Sequence, residues 1–255
     1  MIQVLYWVWY VIGATLMLTI GVPDILSFSN GLFLVFYALC VLDLIYQGRK
    51  RTGLSDQSVI WKEPGLWAAS AILWLGGMGV EWVGVHTKWP FGEYGYSDFF
   101  GIHLFSVPVT LGFAWIAVVG NSALLSGGGS GWPGKLVRAV KTGFWAIVLD
   151  LVLDPVAHAR GFWQWEAPGG FYGVPWTNYI SWFIMGAFLS LFLPAMPADG
   201  HSLLRAKWVY QLFILLFGLL ALKEDITGSF IIALVGALLA EGSWLSDSRR
   251  KIKTV

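Results

Sequence analysis

The sequence predicts an all-α fold: a single integral membrane domain over residues 1–255, built as a polytopic bundle of about eight transmembrane helices. Three observations carry that expectation. The 255 residues are 57% hydrophobic and 12% charged, with a mean hydropathy of +0.68, where a soluble domain carries about 25% charged residues. Eight apolar runs are long enough to cross a bilayer. Lysines and arginines sort to alternate connections between those runs, as they do when cytoplasmic loops hold the excess of positive charge.

The runs fall at about residues 4–20, 31–46, 65–85, 99–120, 136–155, 175–194, 208–222 and 228–245, the first, second and seventh being short. No basic stretch precedes the first, so it reads as a spanning helix that is retained and not as a signal peptide. The second contains the only cysteine, Cys40, which suits a small buried hydrophobe and supports neither a disulfide framework nor a thiolate metal site. In the third, Gly76-Gly77-Met78-Gly79 precedes Glu81 and offers a surface on which another helix can pack closely. Gly127 to Gly131 reads as a flexible linker between the fourth and fifth runs. In the fifth, Pro155 follows Asp154, and a helix end or kink is expected there.

With the N-terminus outside and the C-terminus cytoplasmic, thirteen of the sixteen Lys and Arg residues fall inside, leaving Lys88, Arg160 and Lys223 outside. The expected location is therefore the cell membrane, as a multi-pass protein in contact with the lipid bilayer. This topology also sends the 86–98 and 158–174 loops to the same outer face. The net charge of +1 gives no basic surface for nucleic acid, which is excluded as a partner.

The chemistry concentrates in Asp150-Leu-Val-Leu-Asp154-Pro155-Val-Ala-His158. Side chains at i, i+4 and i+8 share one helix face, and ionisable groups at membrane depth cost roughly 2.5 to 3.5 kcal/mol each on insertion scales. Asp154 could instead cap a broken helix or pair with Arg160, and Glu81 could pair with Lys88. Trp89, Phe91, Tyr94, Tyr96, Trp163, Trp165, Tyr172 and Trp176 could belong to an interfacial aromatic belt. Yet rings, glycines and carboxylates are interleaved in both outer loops and scarce in the inner ones. Clustered histidines, a phosphate-binding glycine loop, a nucleophile elbow and Cys-x-x-Cys are all missing from the sequence, so no cofactor and no metal are expected.

A site of carboxylic acids and aromatic rings within a bilayer suits acid chemistry on a lipid-soluble hydrocarbon. A carboxyl group kept from water can hold a proton at neutral pH and deliver it to an isolated double bond. Ring faces stabilise the resulting tertiary cation, and a positioned water adds to it. Residue chemistry alone goes no further than an acid site for an apolar ligand. A non-catalytic scaffold or transporter competes with it, although no internal repeat of the transporter kind is visible.

Several ordered motifs carry a resemblance. They are Gly84-Val-His-Thr87-Lys-Trp-Pro90-Phe91-Gly92-Glu-Tyr94-Gly-Tyr96, Val107-Pro108, Asp150-Leu-Val-Leu-Asp154-Pro155-Val-Ala with Gly161-Phe-Trp163-Gln-Trp165, and Tyr172-Gly173-Val-Pro175-Trp-Thr-Asn178-Tyr-Ile-Ser-Trp182. Together, over roughly residues 65–195, they resemble the membrane carotenoid-biosynthesis family, whose characterised members are carotenoid 1,2-hydratases, including bisanhydrobacterioruberin hydratases. One position departs from the pattern: Lys88 follows Thr87 where glycine is expected. The resemblance implies an acyclic carotenoid such as lycopene as substrate, and water added to its terminal double bond to give a tertiary alcohol. It also implies a place before desaturation or glycosylation of that end, beside other carotenoid-pathway enzymes. Asp154 or Asp150 is then the proton donor and Glu81 its partner. Trp89, Phe91, Tyr94, Tyr96, Trp163, Trp165, Tyr172 and Trp182 are candidates for substrate binding, and Asn178 for holding water. An end-group cyclase begins with the same protonation and is the alternative enzyme.

Overall fold

A computed structural model describes residues 1–127, 131–166, 169–197 and 199–253, the stretch 247–253 by its backbone only. The centre of the expected glycine linker, 128–130, and the side chains of the basic tail lie outside the described residues. Among the described residues there are eight α-helices: α1 (Ile2–Leu18), α2 (Phe28–Arg51), α3 (Pro64–Thr87), α4 (Leu111–Ser126), α5 (Gly131–Ala159), α6 (Trp176–Ser190), α7 (Gly200–Lys223) and α8 (Thr227–Lys253). The fold is all-α, as expected. Four helical stretches, Asp24–Arg51, Pro64–Thr87, Gly200–Lys223 and Thr227–Ser246, are long and apolar enough to cross a membrane.

Two boundaries differ from the hydropathy pattern for physical reasons. The fourth apolar run does not begin a helix at residue 99. Residues 103–108 form a small hairpin, β2 (His103–Leu104) against β3 (Val107–Pro108), turned by Phe105 and Ser106 with positive φ, so α4 starts only at Leu111. The apolar stretch before it is loop folded back on the bundle: Phe100 is buried and stacks on Trp163 at 5.9 Å. Conversely, α2 and α7 each run 24 residues, because polar residues such as Gln47 to Arg51 continue the helix beyond its apolar stretch. The short helices are α1, α4 and α6.

α5 packs on α4, α6, α7 and α8. It does not end at Asp154; it continues through Pro155 to Ala159. Proline lacks the N–H that would bond the carbonyl four residues earlier, which leaves the Leu151 oxygen free. The Ser229 hydroxyl of α8 donates to that oxygen at 2.9 Å. The helix stays continuous because a neighbour supplies the missing donor, a known accommodation of proline among packed membrane helices.

The helix ends group as an up-and-down bundle requires. At one end the Lys223 amine donates to the Leu18 carbonyl at 2.9 Å, Arg160 pairs with Glu224 at 2.9 Å, and the Gly228 N–H donates to the Tyr172 hydroxyl at 3.0 Å. At the other, Arg51 pairs with Asp199 at 3.1 Å and Lys207 with Glu241 at 2.6 Å. Both polar-aromatic loops lie at the first end. There β1 (Tyr94–Tyr96) pairs antiparallel with β4 (Trp163–Trp165), matching Tyr94 to Trp165 and Tyr96 to Trp163.

Lys88 ends α3 in the left-handed conformation, φ 65°, which explains why glycine is the expected residue there. Its ammonium pairs with Glu93 in the following turn.

Two stability measurements test these points. Ser229→Ala should cost about 1 kcal/mol by leaving the Leu151 carbonyl unsatisfied. In a Pro155→Ala background the helix's own N–H replaces the donor, and the same change should cost close to nothing. Equal costs in both backgrounds, measured by denaturation in detergent, would break the link. Lys88→Gly should stabilise the protein by about 0.5 to 1 kcal/mol, because relief of left-handed strain exceeds the loss of an exposed ion pair. A fall in melting temperature would contradict it.

Candidate functional site

Glu81 lies on the α3 face turned toward α4 and is 3% exposed. One turn earlier, Gly77 opens the space for its partner: a Cβ there would come within 2.3 Å of Trp115 Cδ1. The α4 residue Trp115 therefore lies against α3, and its Nε1 donates to Glu81 Oε1 at 3.1 Å. The other oxygen, Oε2, accepts from the hydroxyls of Tyr94 at 2.5 Å and Tyr96 at 2.6 Å. Alternation along β1 sends both tyrosines to the same face. Three donors and no acceptor is the arrangement that suits an ionised carboxylate. Burial, and then the Glu81 charge, hold both phenols well above the ordinary phenol range, so they stay protonated and keep donating.

Asp150 and Asp154, 2% and 3% exposed, stand one turn apart on the face of α5 that meets α6. The two helices approach closely at Gly143, where a Cβ would lie 2.5 Å from the Phe183 carbonyl oxygen. That contact brings Asn178 up to the acids. Its Nδ2 donates to Asp150 Oδ2 at 3.0 Å and to Asp154 Oδ2 at 2.5 Å. One amide nitrogen thus ties the two carboxyl groups together.

Asp154, Asn178 and Glu81 face a small chamber walled by Trp163, Trp165 and Trp182, with about 20 Å³ open to the centre of a water-sized sphere. Asp150 lines a second cleft, with about 70 Å³ open to the centre of a water-sized sphere and walls that are almost wholly apolar. Leu111, Trp163 and Trp182 belong to the walls of both. Trp182 is held by stacking on Trp115, with ring centroids 4.0 Å apart and planes 6° from parallel.

The structure thus brings together nine of the residues that sequence singled out: Glu81, Asp150, Asp154, Tyr94, Tyr96, Trp163, Trp165, Asn178 and Trp182. Phe91 stands behind them, its ring edge-on to Tyr94 and its carbonyl accepting from Trp165 Nε1 at 3.1 Å. Trp89 and Tyr172 are not brought to the chamber. Trp89 is 71% exposed on the turn surface, and Tyr172 fastens its loop to the start of α8 through the Gly228 N–H. The simple pairings considered for the acids do not form, since Lys88 bonds Glu93 and Arg160 bonds Glu224. His158 packs edge-on to Trp165 at 5.7 Å, with its buried Nδ1 unpartnered. Trp115 escaped the sequence reading, because a tryptophan inside an apolar run looks like any core residue; only Gly77 opposite hinted at it.

A family model for carotenoid biosynthesis proteins matches residues 30–242. A bisanhydrobacterioruberin hydratase from Haloarcula japonica is 41% identical over 122 residues, which is 47% of this chain and 41% of that protein. The match therefore spans well under two thirds of the relative's length. No solved structure matches. With its long apolar helices it is a membrane protein, and the match over residues 30–242 establishes that this chain belongs to the carotenoid biosynthesis protein family.

Proposed function

We propose that the protein is a cofactor-independent hydro-lyase that adds water to the terminal double bond of an acyclic carotenoid, giving a tertiary alcohol. The observation that carries this reading is the Asp150–Asn178–Asp154 cluster, buried between an apolar cleft and a polar, aromatic chamber. The likeness to a bisanhydrobacterioruberin hydratase supports the substrate class.

Two carboxyl groups this close favour holding one proton between them. The aspartic pair gives that proton to the CH carbon of the terminal double bond, whose π electrons form the new C–H bond and leave the positive charge on the carbon that bears the two methyl groups. The tertiary cation left behind lies among the faces of Trp163 and Trp182, with the Glu81 carboxylate across the chamber. Water in the chamber attacks the cation, and its surplus proton returns to the aspartic pair, which restores the acid. The net change is one water added. Glu81 serves as a fixed anion and not as the donor, because losing its charge would weaken three hydrogen bonds at once. In this reading Tyr94 and Tyr96 hold Glu81, and Asn178 positions both acids. Trp89 and Tyr172 have no direct part.

Cells making lycopene should, on expressing the protein, accumulate a pigment heavier by one water. A product isomeric with its precursor would indicate cyclisation, and no new pigment from correctly inserted protein would favour a scaffold. Asp154→Asn keeps shape and hydrogen bonding while removing the acid, and should lose about 10²- to 10⁴-fold in rate. Full activity in Asp154→Asn, Asp150→Asn and Glu81→Gln alike would remove the carboxylate mechanism.

The same reading has the protein cross the cell membrane eight times, with the N-terminus outside and the chamber near the outer face, on the sorting of basic residues. An impermeant thiol reagent should then label a cysteine placed at Glu93 and spare one placed at Lys62. The reverse pattern would invert the protein in the membrane.

A further inference from the structure

The acid chamber is the innermost of three cavities in series. The chamber and the apolar cleft share Leu111, Trp163 and Trp182 as walls. The cleft in turn shares Met17, Asn30 and Phe33 with a third cavity between α1 and α2. That outermost cavity is bordered by Ile12, Leu26 and Phe28, which are 53%, 38% and 52% exposed. Elsewhere on α1, Leu5, Val8 and Val11 are also exposed and apolar, as on a helix surrounded by lipid. α1 is peripheral, packing chiefly on α2 and α7.

We propose that the gap between α1 and α2 is a lateral portal through which an acyclic carotenoid enters from the bilayer, its end group advancing along the cleft to Asp150 and its remaining chain lying back through the portal. The inference rests on the hydration reading and extends it to how the substrate is bound. A path of this composition needs a long, slender and uncharged ligand. A phospholipid fits less well, because Arg160, the cation in the cleft wall, is already paired with Glu224 and has no charge free for a phosphate. At the junction of cleft and portal sits one buried acceptor with no partner, Asn30 Oδ1. A wholly apolar passage for lipid tails has no use for it, whereas the alcohol formed at the aspartic pair is a donor that it can meet as product leaves.

Gly13 lines the portal, and a Cβ added there meets only Phe33 Cδ2, at 4.0 Å, so a side chain at this position fills the gap without displacing backbone. The test compares wild type, Gly13→Trp, the milder Gly13→Leu, Asp154→Asn and a control, Leu75→Trp, on the exposed surface of α3. Each is purified in detergent from lycopene-producing cells, checked for a monodisperse fold, and measured for pigment carried per protein and for hydrated product. Gly13→Trp should carry at least about tenfold less pigment, with Gly13→Leu between it and wild type. The control and Asp154→Asn should carry as much as wild type, Asp154→Asn without product. Wild-type pigment and product in folded Gly13→Trp would overturn the portal, as would an unchanged Gly13→Leu if the tryptophan variant fails to fold, or wild type that carries no pigment. Full turnover by Asp154→Asn beside an empty Gly13→Trp would reject the acid mechanism and keep the portal.

Discussion

Everything at the centre of this bundle follows from placing three carboxyl groups where water does not reach. Glu81, Asp150 and Asp154 are each 3% exposed or less, on helices that otherwise bury hydrocarbon. A buried carboxyl group is tolerated only with hydrogen-bond partners. Those partners come from three separate parts of the chain. Trp115 arrives on α4 because Gly77 leaves it room, Asn178 arrives on α6 because Gly143 lets that helix close on α5, and Tyr94 and Tyr96 descend from a loop held by pairing with the strand of Trp163 and Trp165. Helix packing, loop conformation and site geometry are thus solutions to a single electrostatic requirement.

Pro155 shows the same economy on the backbone. It removes a hydrogen bond from α5 one residue past Asp154, at the depth where the site must be built. The free Leu151 carbonyl is met by Ser229 from α8, which fastens the helix bearing both acids to a second neighbour. Asp150 and Asp154 are therefore held from two directions, by Asn178 through their side chains and by Ser229 through the main chain.

Much of this was legible in the sequence, and the exceptions have physical causes. Apolar runs and the alternation of basic residues gave the helix count and the meeting of two distant loops at one end, since both follow from bilayer thickness and charge. The i, i+4 acids pointed, without help from tertiary structure, to the face of α5 that meets Asn178 and the two cavities. The start of α4 was misplaced because an apolar loop folded onto a bundle has the same hydropathy as a helix crossing it; only Pro108 and the turn residues distinguish them. Trp89 and Tyr172 were grouped with the inner aromatics because composition cannot tell which side of a turn a ring occupies. Trp115 and the apolar cleft were invisible for the opposite reason: both are made of residues that a membrane bundle needs anyway, and only their juxtaposition gives them meaning.

The division between chamber and cleft bears on which fate a carbocation would meet here. Quenching by water needs a polar space on one side of the cation, whereas ring closure needs room for the hydrocarbon to fold back on itself. The chamber leaves about 20 Å³ open to the centre of a water-sized sphere, enough for a water molecule. That is room for water and not for a doubled polyene. Its walls also carry the groups that can order water, Glu81, Asp154 and Asn178, while the cleft on the other side of Trp163 and Trp182 is nearly devoid of them. A hydrocarbon approaching through the cleft meets its first acid at Asp150 and its first polar space beyond it. On the hydration mechanism proposed above, protonation and water attack fall on opposite sides of one aromatic wall, an arrangement that would favour water over a substrate's own double bonds as the nucleophile.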